Sequence, residues 1–275
     1  MKRHYIKISI ICFVFFASPL SFAQKEFQGK AYYESKTTVD MNNFGGGDMS
    51  DERRKQIADR MRSRLEKTFV LTFNQSESFY KEEENPNASG GGGRWGAMLG
   101  SFTGGPQYKD IKNKLLLQEQ EFFGKQFLIK DSLPKFNWKM EGETKQIGQY
   151  TCFKATVKKT VDATDFTSFR RPQNNEEETA PTTKEIEIVA WYTMQIPVNL
   201  GPDDYWGLPG LILEVNADRT IIYCSKIILN PEIKDAIIAP SKGKEVSRTE
   251  YDAIVKKKTA EMRESYRMRE GQRGN

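Results

Sequence analysis

Over most of the chain, apolar positions alternate with polar ones at a period of two, in short runs broken by Gly, Pro, Asn and Asp. Phe27–Thr38 predicts a first strand, carrying Tyr32, Tyr33 and β-branched residues. After a Gly-rich turn at Phe44–Gly47, Ser50-Asp51-Glu52 supplies an N-cap serine with acidic residues in the first turn. Ile57, Met61 and Leu65 then recur at i, i+4, i+8, which predicts a helix to about Glu66 with one apolar face. Arg53, Arg54, Arg60, Arg62 and Arg64 cover the other side as a solvated face. Thr68–Asn74 and Ser78–Glu82 read as a hairpin of strands.

From Tyr108 the strand pattern becomes dense: Lys114–Glu121, Gln126–Ile129, Phe136–Met140, and one alternating run over Lys145–Lys159. Glu185–Met194 places Ile186, Ile188, Ala190 and Tyr192 on one face, with Val189 and Trp191 on the other. Gly210–Val215 is a continuous apolar strand, and a turn at Asn216-Ala217-Asp218 leads into Thr220–Leu229. Ser247-Arg248-Thr249-Glu250 is a capping box opening a C-terminal helix with Tyr251, Ile254 and Val255 inward; its basic end, Lys256–Arg273, is expected to fray. Flexible polar insertions are expected at 85–106, which contains Gly90–Gly93, and at 170–184. About ten short strands with two or three helices predict a mainly β (α+β) domain over residues 24–275. Its architecture would be a curved antiparallel sheet or partly open barrel, with the helices covering one face.

The N-terminus changes the compartment. Lys2, Arg3 and Lys7 precede an apolar stretch from Ile8 to Leu20, and Ser21-Phe22-Ala23 places small residues at −3 and −1. This is the layout of a secretory signal peptide over residues 1–23, too short in its apolar run for a stable transmembrane anchor. Cys12 follows Ile10-Ile11, not the small residues that lipidation requires. The expected location is therefore outside the cytoplasm, in the periplasm or at the outer membrane, where peripheral membrane contact is compatible with the sequence. Of 42 basic and 37 acidic residues, cleavage removes three basic ones, leaving 39 against 37. A nucleic-acid partner is not expected at that balance.

The one histidine, His4, lies in the removed segment, so a mature chain has no Ser-His-Asp or Cys-His chemistry and no His-ligated zinc. Neither a metal nor a cofactor is expected. Cys152 and Cys224 remain. An even count in an oxidising compartment invites a disulfide; two separately buried thiols are the alternative, because two intervening strands would hold them about 14 Å apart at ~4.8 Å per strand.

The densest local signal is Gly201-Pro202-Asp203-Asp204-Tyr205-Trp206-Gly207-Leu208-Pro209-Gly210-Leu211-Ile212-Leu213. Pro209-Gly210 suits the centre of a type II turn, which needs φ > 0 at its second central residue. Gly207, Leu208, Pro209, Gly210, Leu211 and Ile212 spell GLPGLI, and the chain here resembles the GLPGLI family of exported Bacteroidetes proteins. Flanking blocks agree: Phe127–Leu133 with Trp138, Lys145–Ala155, and Ala190–Thr193 with Ile196-Pro197. The resemblance implies an envelope role, beside outer-membrane transport proteins, and carries no catalytic residue. The layout is also similar to that of periplasmic lipoprotein carriers with an open half-barrel.

Three functions follow as expectations. In the first, a non-catalytic envelope binding protein holds a lipid or other apolar ligand on its curved sheet, with Trp138, Tyr150, Trp191, Tyr192 and Trp206 lining the site. In the second, the chain is an interaction or assembly module for an outer-membrane transport protein, using a sheet edge or the insertions. In the third, a carboxylate-based hydrolase uses Asp203, Asp204 and Glu214. The first is the favoured reading, and an enzyme is not expected.

Overall fold

The alternating pattern builds one open sheet of twelve strands in the computed structural model, which describes residues 27–38, 50–53, 55–56, 59, 65–83, 104–162 and 183–273. In chain order the strands are β1 (Gly29–Thr37), β2 (Glu66–Phe73), β3 (Glu77–Glu82), β4 (Gln107–Asp110), β5 (Leu115–Phe122) and β6 (Lys125–Ser132). They continue with β7 (Lys139–Ile147), β8 (Tyr150–Asp162), β9 (Thr183–Thr193), β10 (Leu211–Ala217), β11 (Thr220–Leu229) and β12 (Lys244–Val246), followed by a C-terminal helix, α1 (Arg248–Arg273). Their order across the sheet is β12-β6-β5-β4-β3-β2-β1-β11-β10-β9-β8-β7. Chain neighbours pair as meanders, and β1 beside β11 joins the two halves antiparallel. Only β12 on β6 is parallel. The two outer strands, β12 and β7, do not meet: the fold is mainly β with an open sheet, not a closed barrel.

Burial follows the period of two where the sequence predicts it. On β9, Ile188, Ala190 and Tyr192 are buried while Val189 and Trp191 are only half-buried. Opposite them, Phe153, Ala155 and Val157 of β8 register with Tyr192, Ala190 and Ile188. The main core adds Tyr33, Leu71, Phe73 and Tyr80 from β1 to β3, and Ile196, Val198, Leu200 and Leu208 from the loop between β9 and β10. Burying each such side chain stabilises the fold by about 1.5–3 kcal/mol. A second cluster, Phe122, Phe127, Ile129, Val246 and Tyr251, anchors α1 on β6 at one end of the sheet. Helix α1 thus covers the face of β5 and β6 at that end of the sheet.

The run Lys145–Lys159, predicted as one strand, is a hairpin: β7 ends at Ile147 and β8 begins at Tyr150. Gly148, at φ +57°, turns the chain. The two-residue turn pairs Ile147 with Tyr150, so the alternation of β8 runs one residue out of phase with that of β7. The short strands β4 and β12 carry too few residues to show a period.

The capping box closes as its sequence predicts. The Ser247 amide donates to Glu250 Oε2 (2.7 Å), and the Glu250 amide donates to Ser247 Oγ (3.2 Å). The backbone of α1 stays helical to Arg273, through the basic stretch expected to fray. That stretch is mostly Lys, Arg, Glu, Met and Ala, all strong helix formers. The helix predicted from Ser50 is described in part: 51–53, 55–56, 59 and 65 are helical, and the Arg53 amide reaches Ser50 Oγ at 3.4 Å. The signal segment and nearly all of the two insertions lie outside the described residues.

Candidate functional site

The turn between β9 and β10 carries the motif, and its two key glycines serve different ends. Gly207 takes φ +91°. Gly210 does not enter the left-handed region, so the predicted type II turn at Pro209-Gly210 is not formed. Gly210 is needed for close approach instead: a Cβ there would stand 2.1 Å from the Thr193 carbonyl oxygen. Leu208, Leu211 and Ile212 are buried, and the Tyr33 hydroxyl donates to the Ile212 carbonyl at 2.7 Å.

Trp138 and Trp206 tie this turn to the segment before β7. The Trp138 indole donates to the Trp206 carbonyl (2.9 Å), and the Trp206 indole donates to the Pro134 carbonyl (2.6 Å). Trp191 is half-buried beneath the Lys145 ammonium, 4.4 Å from its ring centroid, and Lys145 also bonds Glu214 at 2.7 Å. Tyr192, adjacent in sequence, projects to the opposite face and donates to Met140 Sδ at 3.5 Å. Tyr150, half-buried at the start of β8, accepts from Gln149 Nε2 at 3.2 Å. The five aromatics are thus not brought to one face. Neighbours on a strand cannot share a side, and two of the five are occupied as a backbone clamp.

Cys152 and Cys224 are free, on β8 and β11 with β9 and β10 between them. The disulfide invited by the even count is not formed in this structure. Burial pushes the Cys152 thiol up to about 11, and burial, with Cys152 nearby adding to it, pushes Cys224 up to about 12.

What the fold does assemble is a polar cavity of about 250 Å³ at the other end of the motif loop. Asp203 and Asp204 line it from the loop, Gln118 and Gln120 from β5, and Arg248, Tyr251 and Asp252 from α1. Its floor continues a row of buried polar side chains. Register sets Ser78 beside Lys109, Tyr80 beside Gln107 and Gln107 beside Gln118, and period two adds Gln120 to the same side as Gln118. Lys109 has no exposed surface. Its ammonium donates to the carbonyls of Gly201 (2.8 Å), Asp203 and Tyr205 (3.4 Å), holding the loop down onto the sheet. Gln107 Nε2 donates to Asp204 Oδ1 at 2.7 Å, while Gln107 Oε1 and Ser78 Oγ are buried without a partner.

Charge in the cavity is strained by crowding. Asp203 opens to the cavity, but the protein around it and then the neighbouring Asp204 raise its carboxyl to about 6, against the pull of Lys109, Lys159 and Arg248. Burial lowers Lys109 to about 8, and Asp204 and Asp203 limit the drop. Asp203 also sits at φ +48°, a conformation Asp tolerates better than most residues. Between about pH 4 and 6 the folded chain keeps a proton on Asp203 that the unfolded chain has released, so stability falls as pH rises through that window. Asp203→Asn is expected to melt at a higher temperature than the parent above pH 6, with the difference vanishing near pH 4. Thermal unfolding at stepped pH reads this directly.

Glu214 takes no part in the cavity; from β10 it pairs with Lys145 of β7, apart from Asp203 and Asp204. Gln107, Lys109, Gln118, Gln120, Arg248 and Asp252 were not singled out from the sequence. A signal existed in β5, where Leu116, Gln118, Gln120 and Phe122 share one side and all are buried, two glutamines standing where the pattern calls for apolar residues.

A family model described as "Protein of unknown function (Porph_ging)" matches residues 138–214. That family is uncharacterised and typical of Bacteroidetes. The matched stretch contains β7 to most of β10, with the motif loop, Asp203 and Asp204, but neither β4 and β5 nor α1. No curated protein matches the chain. Two solved structures of PNGF-II, in different space groups, are similar at 13% and 12% identity with TM-scores of 0.48 and 0.47, over 83% and 82% of this chain. The chain spans about a third of the length of each, 32%.

Proposed function

We propose that this chain is an exported, non-catalytic binding protein of the cell envelope, of the GLPGLI type, that holds a small polar ligand in the cavity between the motif loop and α1. The supporting observation is the cavity itself: a concave polar site lined by Gln118 and Gln120 of β5, Asp203 and Asp204 of the motif loop, and Arg248 and Asp252 of α1. A polar ligand replaces the apolar one expected from the aromatics, which are divided between faces and clamps. Export to the periplasm or outer membrane rests on the N-terminal segment.

The test is native mass spectrometry of the full chain recovered from its own envelope fraction without detergent. A stoichiometric bound mass is expected, and it should be lost when Gln118→Leu removes the amide that lines the cavity. A bare folded chain would sink the binding reading. A bound species recovered chemically altered would remove the word non-catalytic, and recovery from the cytoplasm would remove the envelope.

A second reading, docking of an envelope protein partner, is favoured by β7, a nine-residue strand that is the last in the sheet among the described residues. Met140→Pro, on this strand, would weaken partner capture if the free edge carries it.

A further inference from the structure

The cavity is unbalanced in both charge and hydrogen-bonding capacity. Among the described residues, Asp203, Asp204 and Asp252 line it against a single cation, Arg248. None of the three carboxylates makes an ion pair within 4.0 Å among the described residues. Arg248 is already engaged: its Nη2 donates to Gln118 Oε1 (2.6 Å), and its amide donates to Asp131 Oδ2 (3.1 Å). Lys109, beneath, spends its ammonium on the three loop carbonyls. Gln118 lines the cavity while 5% exposed, and its Nε2 donates to nothing among the described residues. Among the described residues Asp204 takes the Gln107 amide alone, whose own Oε1 is buried and unpartnered. Acceptors are therefore in excess, with negative charge beside them and one free amide donor at the wall.

We infer that this cavity takes a small organic ammonium ion, its N–H groups directed at Asp203 and Asp204 and a second polar group of the ligand facing Gln118. The inference rests on the reading that the cavity binds a ligand, and adds the ligand's class. An anion would meet three carboxylates. A neutral polyol would satisfy hydrogen bonds and leave three carboxylates facing one cation that is already engaged. Among the described residues no acidic cluster is arranged to hold a metal ion. At about 250 Å³ the space suits a ligand smaller than the usual 300–1,000 Å³ pocket takes.

Binding is linked to pH through Asp203, which is faced by Asp204 on its own loop, Lys109 and Tyr80 from β4 and β3, Tyr205, Lys159 of β8 and Arg248 of α1. The ammonium ion binds the ionised carboxylate, so affinity rises as pH rises through about 6.

The experiment is isothermal titration of the full chain with 1,4-diaminobutane at constant ionic strength, with propionate and glucose as counter-probes. Saturable binding of the diamine is expected, weaker by roughly tenfold at pH 5 than at pH 7.5, the ratio of ionised fractions for a pKa near 6. Asp203→Asn and Asp204→Asn, each shown to be folded by its melting curve, are expected to lose tenfold or more. Diamine binding unchanged in both variants and at pH 5 would overturn the inference, because its site would lie elsewhere. Binding of propionate or glucose in its place would overturn the ammonium class and leave the ligand-binding cavity standing. No binding by any probe overturns the ammonium inference, and only a bare native mass spectrum besides removes the binding reading as well.

Discussion

Lys109→Met is expected to destabilise the protein by about 3–5 kcal/mol, because it removes the one donor that three loop carbonyls share in a site without solvent. Methionine keeps the apolar stem and nearly the volume, so packing loss contributes little and the change isolates the ammonium. The carbonyls of Gly201, Asp203 and Tyr205 lie between 92 and 96 residues away in sequence. Losing their anchor lets the motif loop separate from β4, and with it Asp203 and Asp204. A pH signature separates this from a generic core defect. Lys109 titrates near 8 in the folded chain against about 10.4 when unfolded, so between those values the unfolded chain holds the extra proton and parent stability rises with pH. The Met variant lacks that rise. Urea unfolding at pH 7 and pH 9.5 measures both effects, and a loss under about 1 kcal/mol at pH 7 would mean that the loop is held by something else.

Gly210→Ala is the second large effect, at about 3 kcal/mol, and it should exceed Gly207→Ala at about 1–2 kcal/mol. The motif alone ranks them the other way, since its Pro-Gly pair reads as the position needing left-handed backbone. At Gly210 an added Cβ would lie 2.1 Å from the Thr193 oxygen and 2.5 Å from its carbon, both backbone atoms of a buried residue. Leu211 registers with Thr193, so relief requires the start of β10 to part from the end of β9. At Gly207 the nearest atom is Trp138 Nε1, at 3.9 Å, and only the φ of +91° is strained. Equal losses in the two variants would contradict this assignment of roles.

Much of the fold was legible because its determinants are local. Alternation located ten of the strands, Ser247 and Glu250 located the start of α1, and the buried face of β9 was read residue by residue. The hairpin at Gly148 was read through as one strand because only Gly148 and Gln149 separate β7 from β8, too short a break to stand out in an alternating run. Alternation already sets Trp191 and Tyr192 on opposite faces, but that the Trp138 and Trp206 indoles bond backbone carbonyls was not legible, because their partners Trp206 and Pro134 lie about 70 residues away.

By itself the sequence determined the class of the fold, the place of most of its strands and the cap that opens α1. All of these depend on residues within a few positions of one another. Only the tertiary structure decided where the polar cavity lies, since it joins β4, β5, the motif loop and α1, which meet through strand order and not through sequence spacing. It also decided the charge of that cavity. Asp203 is an ordinary turn aspartate in the sequence, and it becomes a carboxyl that titrates near 6 because packing brings protein around it and places Asp204, Lys109 and Arg248 within electrostatic reach.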